Sequence, residues 1–168
     1  MAFRHLLVPT DFSEPASHAL RYAVEEAALH QARVTLLHVL PPDSRTDVHY
    51  VTGAPPETAL GGFDPTVGRS RFLSQPEVVR RDPGEEVLTR LRDLAATAFK
   101  GSSEAVVEAG HPADTIVRVA QERGADLIVM STHGRTGLQH VLLGSVAEKV
   151  VRLAPCPVLT VKPRPGSD

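Results

Sequence analysis

Ala125-Asp126-Leu127-Ile128-Val129-Met130 runs apolar and then breaks at once into Ser131-Thr132-His133-Gly134-Arg135-Thr136-Gly137, and this junction decides how the chain is read. A short, nearly continuous apolar run is what a strand covered on both faces requires. The small and polar residues after it let backbone N–H groups come close to the edge of a ligand. Further on, Gly144-Ser145-Val146-Ala147-Glu148 opens a helix, and Ser145 with Glu148 three residues later has the spacing of a capping box. A helix N-terminus offers N–H groups without intrahelical partners and a partial positive charge, which together favour an anion. A cap alone is ordinary structure, worth about 1 kcal/mol. Joined to the glycines before it, the pattern reads as a cradle for phosphate.

Working outward, short apolar runs alternate with helical periodicity, the pattern of βα units and a mostly parallel sheet. Five strands are predicted, at Phe3 to Val8, Arg33 to Leu40, Glu104 to Ala109, Asp126 to Ser131 and Pro157 to Lys162. Pro15 to Gln31 carries Ala19, Leu20, Ala23, Ala27 and Ala28 at helical spacing, with Ser13 placed to cap it. Asp82-Pro83-Gly84-Glu85 puts proline at a first helical position ahead of Val87, Leu88, Leu91, Leu94 and Ala95. Pro112 to Arg123 repeats the device, with Ile116, Val117 and Ala120 inward and Gly124 as the C-terminal cap. A fourth helix is predicted from Ser145 to Leu153. The fold class is therefore α/β: a single domain over residues 1–168, with a five-stranded, mostly parallel sheet and helices on both faces.

Residues 41–82 break the rhythm with recurrent proline and glycine, and are read as a long flexible insertion. Arg69, Arg71, Arg80 and Arg81 make it locally basic, which suits either a lid that reaches phosphates or a solvated loop. The rest of the composition mostly excludes. With 168 residues, 42% of them hydrophobic, the chain has enough to bury one core, and a net charge of −2 supplies no field for nucleic acid. The lone Cys156 forms no internal disulfide and reads as a small hydrophobe at a strand entrance. The first apolar run stops at Pro9, too short for a signal or a membrane span, so a soluble, cytoplasmic protein is expected, with no membrane partner.

In an open parallel sheet, ligands sit beyond the carboxyl ends of the strands, where strand order reverses. That rule brings Pro9-Thr10-Asp11, just after the first strand, to the same crevice as Met130 and Thr132-His133-Gly134, just after the fourth. Asp11 can accept a hydrogen bond from a base amine or a ribose hydroxyl, or it can serve locally as a cap for the following helix. Val39, at the end of the second strand, offers an apolar wall for a flat ring, or is plain sheet core.

With Val8-Pro9-Thr10-Asp11-Phe12-Ser13 near the start and Ser131 to Ser145 near the end, the chain resembles the universal stress protein family over nearly everything but the insertion. The family's ATP-binding members carry glycine, two residues, glycine, nine residues, then glycine with serine or threonine. Here that pattern falls on Ser131, Gly134, Gly144 and Ser145 without a gap, with Ser131 in place of the first glycine. If that position needs a left-handed backbone, serine strains it. The resemblance implies an adenine nucleotide alpha hydrolase-like, Rossmann-like fold. It also implies ATP held with adenine near Asp11 and Val39, ribose near Ser131 to Gly134, and phosphates at Gly134, Gly144, Ser145 and Val146. A divalent ion, Mg2+ or Mn2+, would ride on the phosphates. It further implies a homodimer through the last strand, Val158 to Val161.

Sequence signs of catalysis are thin. There is no Walker A loop, no Gly-x-Gly-x-x-Gly after the first strand and no Gly-x-Ser-x-Gly elbow. His133 can orient a water or simply hold a turn, and Arg135 can clamp phosphate or lie in solvent. The expectation is a regulatory, stress-response nucleotide-binding module with slow ATP hydrolysis at most. Two alternatives stand beside it. One is a non-nucleotide-binding dimeric interaction protein of the same fold; the other is an adenylyl-transferring enzyme, which should carry a His-x-Gly-His near the first strand, where this chain has Pro-Thr-Asp.

Overall fold

The computed structural model describes residues 2–44, 48–50, 78–80, 83–133 and 143–162. Its elements are, in order, β1 (His5–Pro9), α1 (Glu14–His30), β2 (Arg33–Leu40), β3 (Val48–Tyr50), β4 (Val78–Arg80), α2 (Pro83–Ala98), β5 (Ser103–Ala109), α3 (Pro112–Arg123), β6 (Leu127–Ser131), α4 (Ser145–Leu153) and β7 (Val158–Val161). The main sheet has the order β5-β2-β1-β6-β7 and every pairing in it is parallel. The chain therefore winds outward from β1 in one direction, returns, and winds out again from β6.

Strand parity divides the core. Leu6, Val8, Val34, Leu36, Leu127 and Val129 face α1 and α2, packing on Ala19, Ala23, Leu91 and Ala95. Leu7, Leu37, Val106, Ile128 and Met130 face α3 and α4, packing on Ile116, Val119, Ala120, Ala147 and Val150. The alanine stripe of α1 lets it lie close to the sheet, and Leu6, Leu7, Leu36, Leu37 and Ile128 are fully buried. Cys156 is half-buried against the second cluster, and burial, with Asp126 nearby, pushes its thiol pKa up.

Local chemistry corrects several expected boundaries. Asp126 lies outside β6, because its carboxylate accepts the N–H groups of Arg4 and His5 at 2.9 and 3.1 Å. Helix α1 ends at Gln31 in the left-handed region (φ 52°), a cap that no glycine announced. Gly124 (φ 61°) caps α3 as expected, its N–H reaching the carbonyls of Ala120 and Gln121. Within residues 41–82, β3 and β4 pair antiparallel as a two-stranded ribbon, which includes Arg80. Residues 45–47, 51–77 and 81–82, with Arg69, Arg71 and Arg81 among them, lie outside the described residues. Among the described residues no helix is long and apolar enough to cross a membrane.

At the amino ends of the strands a polar relay runs from buried His5 and Thr35 out to exposed Glu104 and Arg33. The Thr35 hydroxyl donates to Glu104 Oε1 at 2.7 Å, so its lone pair must accept the N–H of His5 Nε2 at 2.8 Å. In the neutral ring, Nδ1 is then the acceptor, and it faces the Arg33 guanidinium at 3.1 Å. Burial, followed by the Arg33 charge, holds the His5 pKa below its usual 6.5. The Thr35 hydrogen bond, opposed by burial and assisted by Arg123, lowers that of Glu104 below 4.5. In both cases the unfolded chain binds the proton more readily, so acid destabilises the fold. Stability should be full above pH 6.5 and fall below it as the unfolded His5 takes up its proton, with a second loss below pH 4.5 from Glu104. Thr35→Val leaves both neighbours unpartnered at that point. It should cost about 2 kcal/mol in denaturant unfolding at neutral pH and flatten the loss below pH 4.5. Wild-type stability and an unchanged acid profile would contradict the relay.

Candidate nucleotide site at the strand reversal

Because β2 lies on one side of β1 and β6 on the other, a crevice opens past the carboxyl ends of β1 and β6. A cavity of about 300 Å3 sits there. Ten of the twelve residues expected from sequence line it: Pro9, Thr10, Asp11, Val39, Met130, Ser131, His133, Gly144, Ser145 and Val146. The other two, Gly134 and Arg135, lie outside the described residues. Thr132, which the strand-reversal rule also brings to this crevice, lines it too; Leu37, Ile116, Pro112, Ala16 and Ala147 line the cavity without a sequence expectation. Leu37 shares the strand parity of Val39, and Pro112 opens the helix after β5 at this same end, so both carried a readable signal. Ile116 was read only as helix core, which it also is.

The β1–α1 loop is held by its own side chains. Thr10 N–H donates to the Leu37 carbonyl at 2.8 Å, Phe12 N–H to Thr10 Oγ1 at 3.1 Å, and Ser13 N–H to Asp11 Oδ1 at 3.0 Å. The cap of α1 is Ser13, whose hydroxyl accepts Ala16 N–H at 3.3 Å. Asp11 therefore does not cap the helix. Its carboxylate shapes the turn with one oxygen while it lines the cavity, and a carboxylate has several acceptor positions.

Across the cavity, Ser131 ends β6 in extended pairing with Val161. Phe12 and Gln31 are the positive-φ non-glycine residues of the described chain, so serine at 131 carries no left-handed strain. Its hydroxyl donates to the His133 carbonyl at 2.6 Å and tightens the turn. Thr132 is buried; its N–H reaches the Val161 carbonyl at 3.0 Å and its hydroxyl lies 2.8 Å from His133 Nδ1.

The expected capping box is not formed. Gly144, not Ser145, is the N-cap residue of α4, with an extended backbone and no side-chain cap hydrogen bond, and Ser145 is the first helical residue. The cause is tertiary: Gly144 N–H donates to the Thr132 carbonyl at 2.8 Å, which fixes where the helix begins. A Cβ on Gly144 would stand 3.0 Å from that carbonyl oxygen, a contact tight enough that the backbone would have to give by a few tenths of an ångström, which favours glycine where the two backbones approach. The helix end facing the cavity thus lacks the side-chain cap that α1 has.

A family model described as the universal stress protein family matches residues 2–162. The chain belongs to the universal stress protein family. Universal stress protein MJ0531 of Methanocaldococcus jannaschii is 34% identical over 160 residues, spanning 95% of this chain and 82% of that protein. Universal stress protein MJ0577 of the same organism is 32% identical over 165 residues, spanning 95% of each. The solved structure of MJ0577 superposes with a TM-score of 0.63 at 26% identity, covering 99% of this chain and all of that one. Universal stress protein UspA from Lactobacillus plantarum gives 0.65 at 27%, covering 96% and 99%. Two further universal stress proteins share the fold at 23% identity, one in complex with cAMP and one, from Archaeoglobus fulgidus, with dAMP. The five-stranded parallel sheet with helices on both faces is the universal stress protein fold.

Proposed function

We propose that the protein binds ATP in the cavity between β1 and β6 and acts as a cytoplasmic, nucleotide-dependent regulatory module of the stress response. The observation that carries this reading is the pairing of two unlike ends in one cavity. One end has apolar walls at Leu37, Val39, Ile116 and Met130 with the Asp11 carboxylate beside them; the other has the first turn of α4 without a side-chain cap. A flat ring fits the first end, where Asp11 accepts a hydrogen bond from a base amine or ribose hydroxyl. The ribose lies along the Ser131–His133 turn. Phosphate oxygens fit the second end, at Gly144, Ser145 and Val146, where backbone amides and the helix dipole favour negative charge. Gly134 and Arg135 complete the phosphate end in this reading. Universal stress proteins that hold cAMP and dAMP support adenine nucleotides as the ligand class for this fold.

A bound Mg2+ or Mn2+ would offset the charge of the phosphates. It would come to the site with the nucleotide, since Asp11 is the one carboxylate on the described cavity wall. His133, its ring 2.8 Å from the Thr132 hydroxyl, is the histidine on the described cavity wall, and the expected turnover is slow at most. The fold presents β7 as a sheet edge, with Val158, Leu159 and Thr160 half-buried and Val151 and Leu153 of α4 exposed, which supports a homodimer built on Val158–Val161. Residues 41–82 are read as an insertion in this single domain, and its exposure to partners is what nucleotide occupancy would alter.

Asp11→Ala tests the ring end of the site. It should weaken ATP binding by about 1–2 kcal/mol, the scale of a hydrogen bond to a charged group, and leave the helix cap at Ser13 in place. Calorimetric titration beside thermal unfolding checks this; retained affinity with lowered stability would reduce Asp11 to a turn residue.

A further inference from the structure

Phe12 holds a backbone conformation that aromatic side chains rarely adopt. Its φ is 61°, in the left-handed region, where a large side chain crowds its own backbone. Such a conformation persists where the surroundings over-determine it. Here they do so from two elements of the fold. The ring lies against His38 of β2, centroids 4.8 Å apart and planes inclined by 32°, and the guanidinium of Arg90 from α2 caps the ring at 4.2 Å from its centroid. His38 is itself locked: its Nδ1 donates to the Thr10 carbonyl at 2.8 Å, within the same loop.

The left-handed residue makes neighbouring side chains diverge. Asp11 lines the cavity whose walls include Leu37, Ile116 and Met130, whereas the Phe12 ring packs with the core on the opposite face, beneath α1 and α2; Thr10, between them, borders both that cavity and a pocket beside Phe12 and Arg90. The Phe12 N–H bonds Thr10 Oγ1, and the next amide, Ser13 N–H, bonds Asp11 Oδ1. Turning Phe12 out of its sandwich would move both amides and release both side chains. The ring is thus an anchor on one side of the sheet that sets side-chain positions on the other.

We propose that Phe12 is a positioning residue for nucleotide binding: the His38–Phe12–Arg90 stack fixes the left-handed turn that aims Asp11 into the cavity. The proposal rests on the reading that the cavity binds ATP. Phe12→Gly separates ring from backbone, because glycine adopts the left-handed conformation without strain and supplies no anchor. It should weaken ATP binding about tenfold, the loss expected from misplacing the Asp11 hydrogen bond. The Phe12→Gly/Asp11→Ala double variant should bind no more weakly than Asp11→Ala alone, since one interaction is being lost twice. Phe12→Tyr, which keeps the stack, should bind as wild type. Arg90→Ala, at an exposed residue of α2, should weaken binding roughly threefold in the same direction, as removal of one exposed cation–π contact would.

Additive losses in the double variant, or wild-type affinity in Phe12→Gly, would overturn the proposal, because a ring that only stabilises the fold has no reason to couple to Asp11. The amide resonance of Ser13 in the free protein gives a readout without nucleotide. It should move in Phe12→Gly toward its position in Asp11→Ala; an unmoved resonance overturns the positioning role. If wild type fails to bind ATP while the resonance moves as expected, the binding reading has failed and the anchoring of Asp11 stands.

Discussion

Gly144→Val is expected to abolish measurable ATP binding, a loss of at least about a hundredfold or roughly 3 kcal/mol, while the protein remains folded. The backbone at Gly144 has φ −68° and ψ 154°, which valine adopts readily, so no conformational penalty forces glycine there. Space does. A Cβ would press on the Thr132 carbonyl oxygen at 3.0 Å and approach His133 Cα at 3.8 Å. Both are backbone atoms, and the carbonyl is held by the Gly144 amide itself at 2.8 Å. The Thr132–Gly144 closure must give to admit the branched side chain, and that displacement shifts the first turn of α4, where the phosphates are proposed to bind. Gly144→Ala should fall between valine and wild type. Titration calorimetry with thermal unfolding as control tests the series, and full affinity in the valine variant would remove the phosphates from this helix end.

In the proposed homodimer, with β7 of each copy paired across the two-fold axis, Thr160→Pro is expected to yield a monomer of half the mass without unfolding it. The carbonyls of Pro157 and Val161 point toward β6, where they accept from Ile128 and Thr132 at 3.0 Å. Backbone groups alternate in direction along a strand, so those of Val158 and Thr160 point outward from the sheet edge. Proline at 160 deletes one outward N–H, leaves the β6–β7 ladder intact and blocks continuous pairing across a two-fold axis. Light scattering after size exclusion reads the result directly. A variant that stays dimeric would place the interface elsewhere.

Much of this fold was legible because parallel strands buried on both faces write themselves as unbroken apolar runs, as at Leu127–Met130, and because Pro83, Pro112 and Gly124 punctuate helices locally. The crevice was legible for a topological reason: ligands gather where strand order reverses, and that rule needed only the strand sequence. What stayed hidden depends on distant partners. The start of α4 is fixed by a carbonyl at Thr132, which no local pattern reveals, and so the local pattern points to Ser145 as the cap where Gly144 takes that place. The β3–β4 ribbon joins strands of three residues each, separated by a long stretch of chain, too short to show alternation. The left-handed turn at Phe12 has no glycine or asparagine to announce it; His38 and Arg90 impose it from other elements.

In the proposed site the uncapped end of α4 reads phosphate while the apolar pocket beside Asp11 reads the base. Calorimetric titration of the purified protein with ATP and with AMP, magnesium present, separates these two roles most directly. Micromolar binding of ATP and much weaker binding of AMP are expected, because only the longer phosphate chain would engage Gly144, Ser145 and Val146 fully. Equal affinities for the two, or no binding of either, would contradict the proposed site.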